Sequence, residues 1–250
     1  MAGRRILITG AARGIGEATA RRLSSAGAHL ALLDLERPGV EMLARELNGL
    51  PLHCDVVDEH QTRVAVDTAA ERLGGLDVVI ANAGIHVHAR TDVIASADFR
   101  RVLEVDLLGV WHTLRPSIPY VAQTGGYMLS VASLAATLHL PMLGAYSAAK
   151  AGIHALANVM RLELRSHGIA VGCAYFGRVD TDLLRETSTD SPPTWRSLSR
   201  WAPKITAERA ARGITDAVAR RARWVVLPTC LYPLIALPST FQLALEPLRR

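Results

Sequence analysis

The chain has few of the features that mark metal-binding, secreted or nucleic-acid-binding proteins. Aromatic residues make up 5% of its 250 residues and show no spacing suited to stacking on nucleic-acid bases. Its three cysteines, Cys54, Cys173 and Cys230, are odd in number and lack metal-ligand spacing, which predicts free thiols in a reducing compartment. Lysine occurs only at Lys150 and Lys204, so the formal net charge of +5 comes from scattered arginines. We expect these on solvated helix faces, and predict neither a nucleic-acid partner nor a metal ion.

The chain also lacks segments that would divide it or direct it elsewhere. No linker rich in proline, glycine or serine, no repeat and no low-complexity run interrupts it, and half of its residues are hydrophobic. These properties predict a single domain over residues 1–250 with a large core. The N-terminus leads straight into an apolar run without a signal peptide, which predicts a cytoplasmic protein.

The first 34 residues carry the pattern of a dinucleotide-binding unit. Gly10, Gly14 and Gly16 follow the first apolar run as G-x-x-x-G-x-G, and the second run ends at Asp34. Glycines let the backbone approach a pyrophosphate, which the N-terminus of the following helix attracts. Asp34 is placed to bind a ribose 2′-hydroxyl and to repel a 2′-phosphate, which predicts NAD as the cofactor.

Two arginines keep NADP open as a less favoured alternative to NAD. Arg13 lies within the glycine turn and Arg37 just beyond the second run, where either could meet a 2′-phosphate. Asp34 argues for NAD through ribose binding and phosphate repulsion, so NAD remains the predicted cofactor and NADP the less favoured one.

Short apolar runs alternate with helical patterns along the whole chain. The runs lie near residues 4–9, 29–34, 50–54, 77–81, 125–131, 169–175 and 224–228. This alternation predicts an α/β fold, a Rossmann-type doubly wound parallel sheet of about seven strands with helices on both faces. Ligands of such sheets bind at the carboxyl ends of the strands.

Tyr146, Lys150 and Ser133 form the most informative feature of the sequence. Residues four apart share one face of a helix, so a helix over 146–167 places the Lys150 ammonium over the Tyr146 side chain. One cation ~4 Å away, at an effective dielectric of ~20, supplies about 4 kcal/mol, enough to bring the phenol pKa near neutrality. Such a phenol is an effective general acid/base, and the Ser133 hydroxyl could bind the same substrate oxygen.

Together these motifs resemble the short-chain dehydrogenase/reductase family over nearly the whole chain. The resemblance implies hydride transfer between a nicotinamide cofactor and a secondary alcohol or ketone. Tyr146 would be the general acid/base, Ser133 would hold the substrate oxygen, and Lys150 would lower the phenol pKa and hold the nicotinamide ribose. The cofactor-binding residues that the pattern and the resemblance imply are Gly10, Arg13, Gly14, Ile15, Gly16, Asp34, Asp55, Val56, Asn82, Ala83, Gly84, Tyr146, Lys150, Gly177, Val179 and Thr181.

The chain departs from the family pattern at two positions. Asp106 stands where the family usually has a catalytic asparagine, which kinks a helix and holds a water of a proton relay. An ionised Asp106 near Lys150 would weaken the lowering of the phenol pKa, so we expect a slower or pH-shifted enzyme. The alternative is an impaired NAD(P)-binding sensor or assembly subunit. Phe176 replaces the usual proline before Gly177, which costs stiffness more than chemistry.

The substrate pocket is expected to be lined by large side chains. The candidates are His86, Leu140, Phe176, Leu183 and Trp195. The last two lie in a segment around 183–206 that resembles the mobile substrate lid of the family. These residues predict a bulky apolar secondary alcohol or ketone, steroid- or lipid-like.

The chain ends in an apolar tail, residues 225–250. The stretch from 225 to 245 carries no charge, but Pro228, Pro233 and Pro238 interrupt any single helix, so we do not predict a membrane span. We expect the tail to pack on the core or in a subunit interface, with peripheral membrane contact as the sharper alternative. Family likeness also implies a homodimer or homotetramer built on long helices around 96–122 and 145–167.

Overall fold

A parallel β-sheet forms the centre of the molecule. The computed structural model describes residues 1–181 and 204–236. Its strands are β1 (Arg5–Thr9), β2 (His29–Asp34), β3 (Leu50–His53), β4 (Val78–Ala81), β5 (Tyr127–Val131), β6 (Ala170–Phe176), β7 (Val179–Asp180), β8 (Ile205–Thr206) and β9 (Trp224–Leu227). Seven of them form one sheet in the order β3-β2-β1-β4-β5-β6-β9, while β7 pairs with β8. The predicted seven-stranded parallel sheet is confirmed.

Helices connect the strands. They are α1 (Gly14–Ser25), α2 (Arg37–Leu47), α3 (Glu59–Leu73), α4 (Ser96–Leu103), α5 (Gly109–Thr124), α6 (Gly144–Glu163), α7 (Ala207–Arg220) and α8 (Tyr232–Ala236). A π-helical turn, Glu104–Leu108, joins α4 to α5. Short 3₁₀ turns follow β5, α6 and β9, at Leu134–Ala136, Leu164–His167 and Thr229–Leu231.

Both faces of the sheet are buried, which explains why its strands are continuous apolar runs. Leu7 of β1 enters the core that includes Ala65 of α3 and Ile153 of α6. Its neighbours Ile6 and Ile8 enter the opposite core, on the side of α1, α2 and α7. Successive side chains of a strand point to opposite faces, so a strand covered on both sides needs apolar residues at every position.

The strand order creates a crevice at the carboxyl end of β1. The chain passes from β1 through α1 to β2 on one side, whereas β4 pairs with β1 on the other side. At such a reversal of strand order the connections diverge and leave space between them. The glycine turn after β1 and the segment after β4 border this space.

The two long helices predicted from the sequence are present in the structure. The 96–122 helix is α4 and α5 with the π-helical turn between them, and α6 begins two residues before Tyr146. Leu183, Trp195 and residues 237–250 lie outside the described residues, so the predicted lid, tail and extent of the single domain stay predictions. In residues 1–181 and 204–236, no helix has the length and apolar character needed to cross a membrane.

Candidate active site

The turn between β1 and α1 leaves no room for a side chain at Gly10 or Gly16, because other backbone atoms lie too close to both. Gly10 and Gly14 have positive φ angles of 64° and 61°, a conformation that glycine adopts without steric cost. A Cβ atom on Gly16 would lie 1.9 Å from the carbonyl oxygen of Gly10. Because α1 begins at Gly14, its unpaired N–H groups open at this turn, and the residues fit the pyrophosphate of a dinucleotide.

The segment after β4 braces the glycine turn. The Asn82 side-chain amide donates hydrogen bonds to the carbonyl oxygens of Thr9 and Gly10, both at 3.0 Å. The Thr9 hydroxyl accepts the backbone N–H groups of Asn82 and Ala83 at 3.0 and 3.1 Å. Thr9 was absent from the predicted site, and its place directly before the first glycine was the only sequence signal for it. It positions the turn from within β1.

Asp34 lies at the end of β2 beside the same turn. Its carboxylate accepts the backbone N–H groups of Ala12 at 2.8 Å and Glu36 at 2.9 Å, which hold it at the edge of the crevice. Ile15 is partly buried in the first turn of α1, and Arg13 is exposed at its N-terminus. The structure therefore keeps the acid within reach of the turn.

The residues after β3 lie at the other side of β2. The Asp55 carboxylate accepts the N–H of Val57 at 3.0 Å and meets Arg101 at 3.5 Å. Val56 is buried, and a Cβ atom on Gly109 would lie 2.7 Å from its side chain. The adenine-binding role expected for Asp55 and Val56 stays a prediction.

The segment after β6 also reaches the glycine turn. The Gly177 N–H donates to the carbonyl oxygen of Leu227 at 2.9 Å, and the buried Val179 pairs with Ile205. The Thr181 methyl group would lie 3.3 Å from a Cβ atom on Gly14. Thr181 thus lies beside the glycine turn, although it is far from Gly14 in the chain.

Replacing Gly16 with alanine is expected to destabilise the protein by about 1–3 kcal/mol and to weaken NAD binding at least about tenfold, because the new methyl group overlaps the Gly10 carbonyl. Helix propensity alone favours alanine over glycine by ~1 kcal/mol. A loss of stability in Gly16→Ala would therefore show that the clash outweighs helix propensity. Thermal unfolding and fluorescence titration measure the two effects. Gly144→Ala is the control, since a Cβ atom there meets only the rotatable Thr91 hydroxyl, at 3.2 Å; a stabilised Gly16→Ala protein would contradict the clash.

Tyr146 and Lys150 lie one helical turn apart on α6, and Ser133 meets them from the end of β5. The Lys150 Nζ atom is 5.4 Å from the centre of the Tyr146 ring, and the Ser133 hydroxyl lies close enough to Tyr146 to lower the pKa of its phenol. The Ser133 hydroxyl also donates to the Phe176 carbonyl oxygen at 3.3 Å and accepts the Ala135 N–H at 3.1 Å. Two hydroxyl groups are therefore held together beside one cation.

The predicted lowering of the Tyr146 pKa is wrong for this structure. Burial raises the pKa of Tyr146 and outweighs the lowering by Lys150. Asp106 raises this pKa further, and the Ser133 hydroxyl lowers it. Tyr146 as a whole is only partly buried. The prediction counted the ammonium charge and omitted the desolvation of the phenolate, which opposes it.

Asp106 lies in the π-helical turn and is buried against Lys150. Its Oδ2 atom is 3.0 Å from Nζ, and the side chains of Lys150 and Asp106 are 4% and 0% exposed. Oδ1 accepts the Ile85 N–H at 2.7 Å, and Lys150 donates to the Val131 carbonyl oxygen at 3.1 Å. Oδ2 faces the ammonium at a distance typical of a charge-assisted hydrogen bond. The structure thus places Asp106 beside Lys150, as expected.

The pKa values of Asp106 and Lys150 are both raised, which favours the neutral form of the acid but the charged form of the amine. Burial raises the pKa of Asp106 despite Lys150 and the Ile85 amide, which favours a neutral acid. The pKa of Lys150 is also raised, because Asp106 and Tyr146 outweigh the burial that lowers it. We assign the ion pair, since the ordinary pKa values of the two groups differ by about six and an ammonium facing a carboxyl O–H would be donor against donor.

The expected pocket wall is only partly formed by the predicted residues. The His86 ring centre is 5.6 Å from that of Tyr146, with the planes at 59°. The Ala89 N–H donates to the Met142 carbonyl oxygen at 3.0 Å, which joins the segment after β4 to the start of α6. Leu140 is partly buried. The Phe176 side chain is 3% exposed within the core, and its role as a substrate contact stays a prediction.

A glycine-lined turn, an acid at the end of β2 and a Tyr/Lys pair at the same crevice define a class of nucleotide-dependent oxidoreductase. Comparison with known proteins identifies the family: the sequence model described as short chain dehydrogenase matches residues 4–192. The chain belongs to this family. It is a nicotinamide-dependent oxidoreductase that acts on CH–OH groups.

Two curated relatives illustrate the similarity. The chain is 31% identical over 194 residues to L-fucose dehydrogenase of Mus musculus, an alignment that covers 76% of this chain and 71% of the relative. It is 34% identical over 190 residues to the mitochondrial borneol dehydrogenase of Lavandula x intermedia, covering 74% and 72%.

Solved structures give the same result. The 3-ketoacyl-(acyl-carrier-protein) reductase of Brucella melitensis, complexed with NADH, has a TM-score of 0.82 at 26% identity and covers 90% of this chain and 97% of its own. An alcohol dehydrogenase of Thermococcus sibiricus, complexed with 5-hydroxy-NADP, has a TM-score of 0.78 at 28% identity and covers 90% and 95%. These neighbours support a nicotinamide cofactor and do not distinguish NAD from NADP.

Proposed function

We propose that the protein is an NAD-dependent dehydrogenase/reductase of bulky, largely apolar secondary alcohols and their ketones, with Tyr146 as the general acid/base. The observation that carries this proposal is that the Tyr146 side chain lies beside both the Ser133 hydroxyl and the buried Lys150 ammonium. Both hydroxyls can meet a single substrate oxygen, and the cation favours the ionised form of the phenol.

The chemistry of each residue follows from its position. In alcohol oxidation Tyr146 takes the hydroxyl proton while the carbinol carbon loses a hydride; in ketone reduction Tyr146 gives the proton back. A bound nicotinamide supplies the hydride acceptor or donor. Ser133 holds the substrate oxygen and Lys150 stabilises the phenolate. Because burial raises the Tyr146 pKa, oxidation should accelerate as the pH rises.

The names of relatives refine the substrate class that we propose. Relatives are named for L-fucose, borneol, trans-4-hydroxycyclohexanecarboxylate and (-)-trans-carveol, which all carry a hydroxyl group on a six-membered ring. We therefore place ring-borne secondary alcohols ahead of open-chain ones. His86 beside Tyr146 could contact the ring of such a substrate.

A substrate panel tests the proposal. Cyclohexanols, borneol, carveol and L-fucose are compared with open-chain secondary alcohols of matched carbon number, by following the absorbance of the reduced cofactor. We expect turnover with NAD on at least one ring alcohol. Cofactor binding without turnover on any alcohol or ketone would favour the sensor alternative, which the relatives, all named as dehydrogenases, do not support.

The preference for NAD is expected to depend on the charge of Asp34. Asp34→Asn keeps an oxygen that can accept the Ala12 N–H but removes the charge that repels a 2′-phosphate. We expect kcat/KM with NADP, relative to NAD, to rise at least about tenfold. Asp55→Asn is the control, because the predicted adenine contact is common to both cofactors. An unchanged cofactor ratio in Asp34→Asn would remove Asp34 as the discriminating residue.

Assembly and location remain proposals. A homodimer or homotetramer built on α4, α5 and α6 is supported by the exposed apolar side chains of Leu108, Val159 and Leu162. Analytical ultracentrifugation measures the assembly.

We also propose a cytoplasmic protein, with peripheral membrane contact through the tail 225–250 as a variant of that location. Sedimentation of the intact protein with lipid vesicles measures this contact.

A further inference from the structure

The buried pair of Asp106 and Lys150 has no net charge, whereas a neutral residue at position 106 would leave one positive charge. The carboxylate and the ammonium are 3.0 Å apart, and their side chains are 0% and 4% exposed. Water and dissolved ions therefore screen these charges much less than surface charges. The electrostatic energy of any charged group nearby therefore depends on whether a carboxylate balances the ammonium.

The pair lies directly behind the crevice. A Cβ atom on Gly84 would lie 3.2 Å from Asp106 Oδ2 and 3.4 Å from Lys150 Nζ, so the pair packs directly against the last residue of the Asn82–Gly84 segment. Asn82 in turn binds the glycine turn. The charges of Lys150 and Asp106 both act on the Tyr146 hydroxyl, in opposite directions. The pair thus sets the electric field where the substrate carbon and the hydride carrier must meet.

We infer that Asp106 makes the crevice bind the oxidised cofactor more tightly, relative to the reduced cofactor, than a neutral residue would. This inference rests on the proposed function. The oxidised nicotinamide ring carries a positive charge that the reduced ring lacks, and the two cofactors are otherwise alike. With Asp106 present the cationic ring meets a pair without net charge; without it the ring meets an unbalanced ammonium.

This selectivity suits alcohol oxidation. The resting enzyme holds the oxidised cofactor, and the reduced cofactor leaves more readily after turnover. In that reaction the carbinol carbon loses a hydride, with its two electrons, to the nicotinamide, and the hydroxyl proton passes to Tyr146 and then to water. The enzyme leaves the overall equilibrium in solution unchanged.

Equilibrium binding tests the inference without substrate. The dissociation constants of NAD and NADH are measured by fluorescence titration in the wild type and in Asp106→Asn. One unit charge acting over ~10 Å at an effective dielectric of ~20 changes binding by a factor of about ten, so we expect the Kd ratio of NAD to NADH to rise about tenfold. Asp106→Ser, also neutral and smaller, should raise the ratio similarly and serves if the amide variant does not fold.

A matched control separates the buried charge from the total charge. Glu46→Gln removes one negative charge from an exposed pair with Arg21 and should leave the Kd ratio within about twofold of the wild type. A ratio unchanged in both neutral variants at position 106, with both cofactors still bound, would overturn the inference alone. A wild-type protein that binds neither cofactor would overturn the proposed function as well.

Discussion

Tyr146→Phe is expected to lower kcat about a thousandfold while NAD binding stays within a few-fold of the wild type. General acid/base catalysis contributes typically 10² to 10⁴ in rate, and the substitution removes only the hydroxyl oxygen that exchanges the proton. The ring remains on α6 beside His86 and Lys150, so the crevice keeps its shape. Steady-state rates on the best ring alcohol and a fluorescence titration with NAD measure the two quantities.

The matched control removes a phenolic hydroxyl elsewhere. Tyr232 is 48% exposed and lies on α8, so Tyr232→Phe should leave both kcat and NAD binding unchanged. A loss of less than tenfold in Tyr146→Phe would mean that another group moves the proton, and the assignment of Tyr146 would have to be abandoned.

Lys150→Met is expected to destabilise the protein by about 3–5 kcal/mol, because it leaves the Asp106 carboxylate buried without a partner. For a domain of this size the change corresponds to a fall in Tm of about 10 °C. The loss of stability should shrink at acidic pH, where Asp106 is protonated and uncharged. An unpaired buried acid has a higher pKa in the folded state than in the unfolded state, so the loss of stability appears only as the pH rises. Thermal unfolding at several pH values measures this dependence.

A double-mutant cycle separates the pair from the lost side chain. Lys150→Met combined with Asp106→Leu removes both charges and should recover most of the stability, since an apolar pair can replace a buried ion pair. Arg21→Met removes one partner of an exposed pair, with side chains 41% and 55% exposed, and should cost less than about 1 kcal/mol. Equal losses in Lys150→Met and in the double variant would show that the buried charge does not account for the effect.

Local sequence patterns predicted the fold because their physical causes are local. A strand covered on both faces must be apolar at consecutive positions, as Ile6, Leu7 and Ile8 are in β1. Such runs can therefore be recognised from the sequence alone. The turn after β1 can be recognised in the same way, since glycine adopts the positive φ angles of Gly10 and Gly14 without steric cost.

The sequence also missed features whose causes lie in contacts between distant segments. Thr9 accepts two N–H groups from the segment after β4, and no local pattern relates these segments. The sign of the Tyr146 pKa shift was missed for a similar reason. Desolvation depends on how completely the chain encloses the hydroxyl, and the spacing of Tyr146 and Lys150 contains no information about enclosure.

The sequence by itself determined the parallel sheet, the glycine turn at the end of β1 and the placing of Tyr146 and Lys150 on one helix face, because each follows from the period of a strand or helix or from the freedom of glycine. The tertiary structure alone decided how closely Asp106 approaches Lys150, at 3.0 Å with both side chains buried. It also decided that burial outweighs the ammonium at Tyr146. Electrostatic energies depend on distance and on excluded water, and both are set only when α4, α5 and α6 pack together.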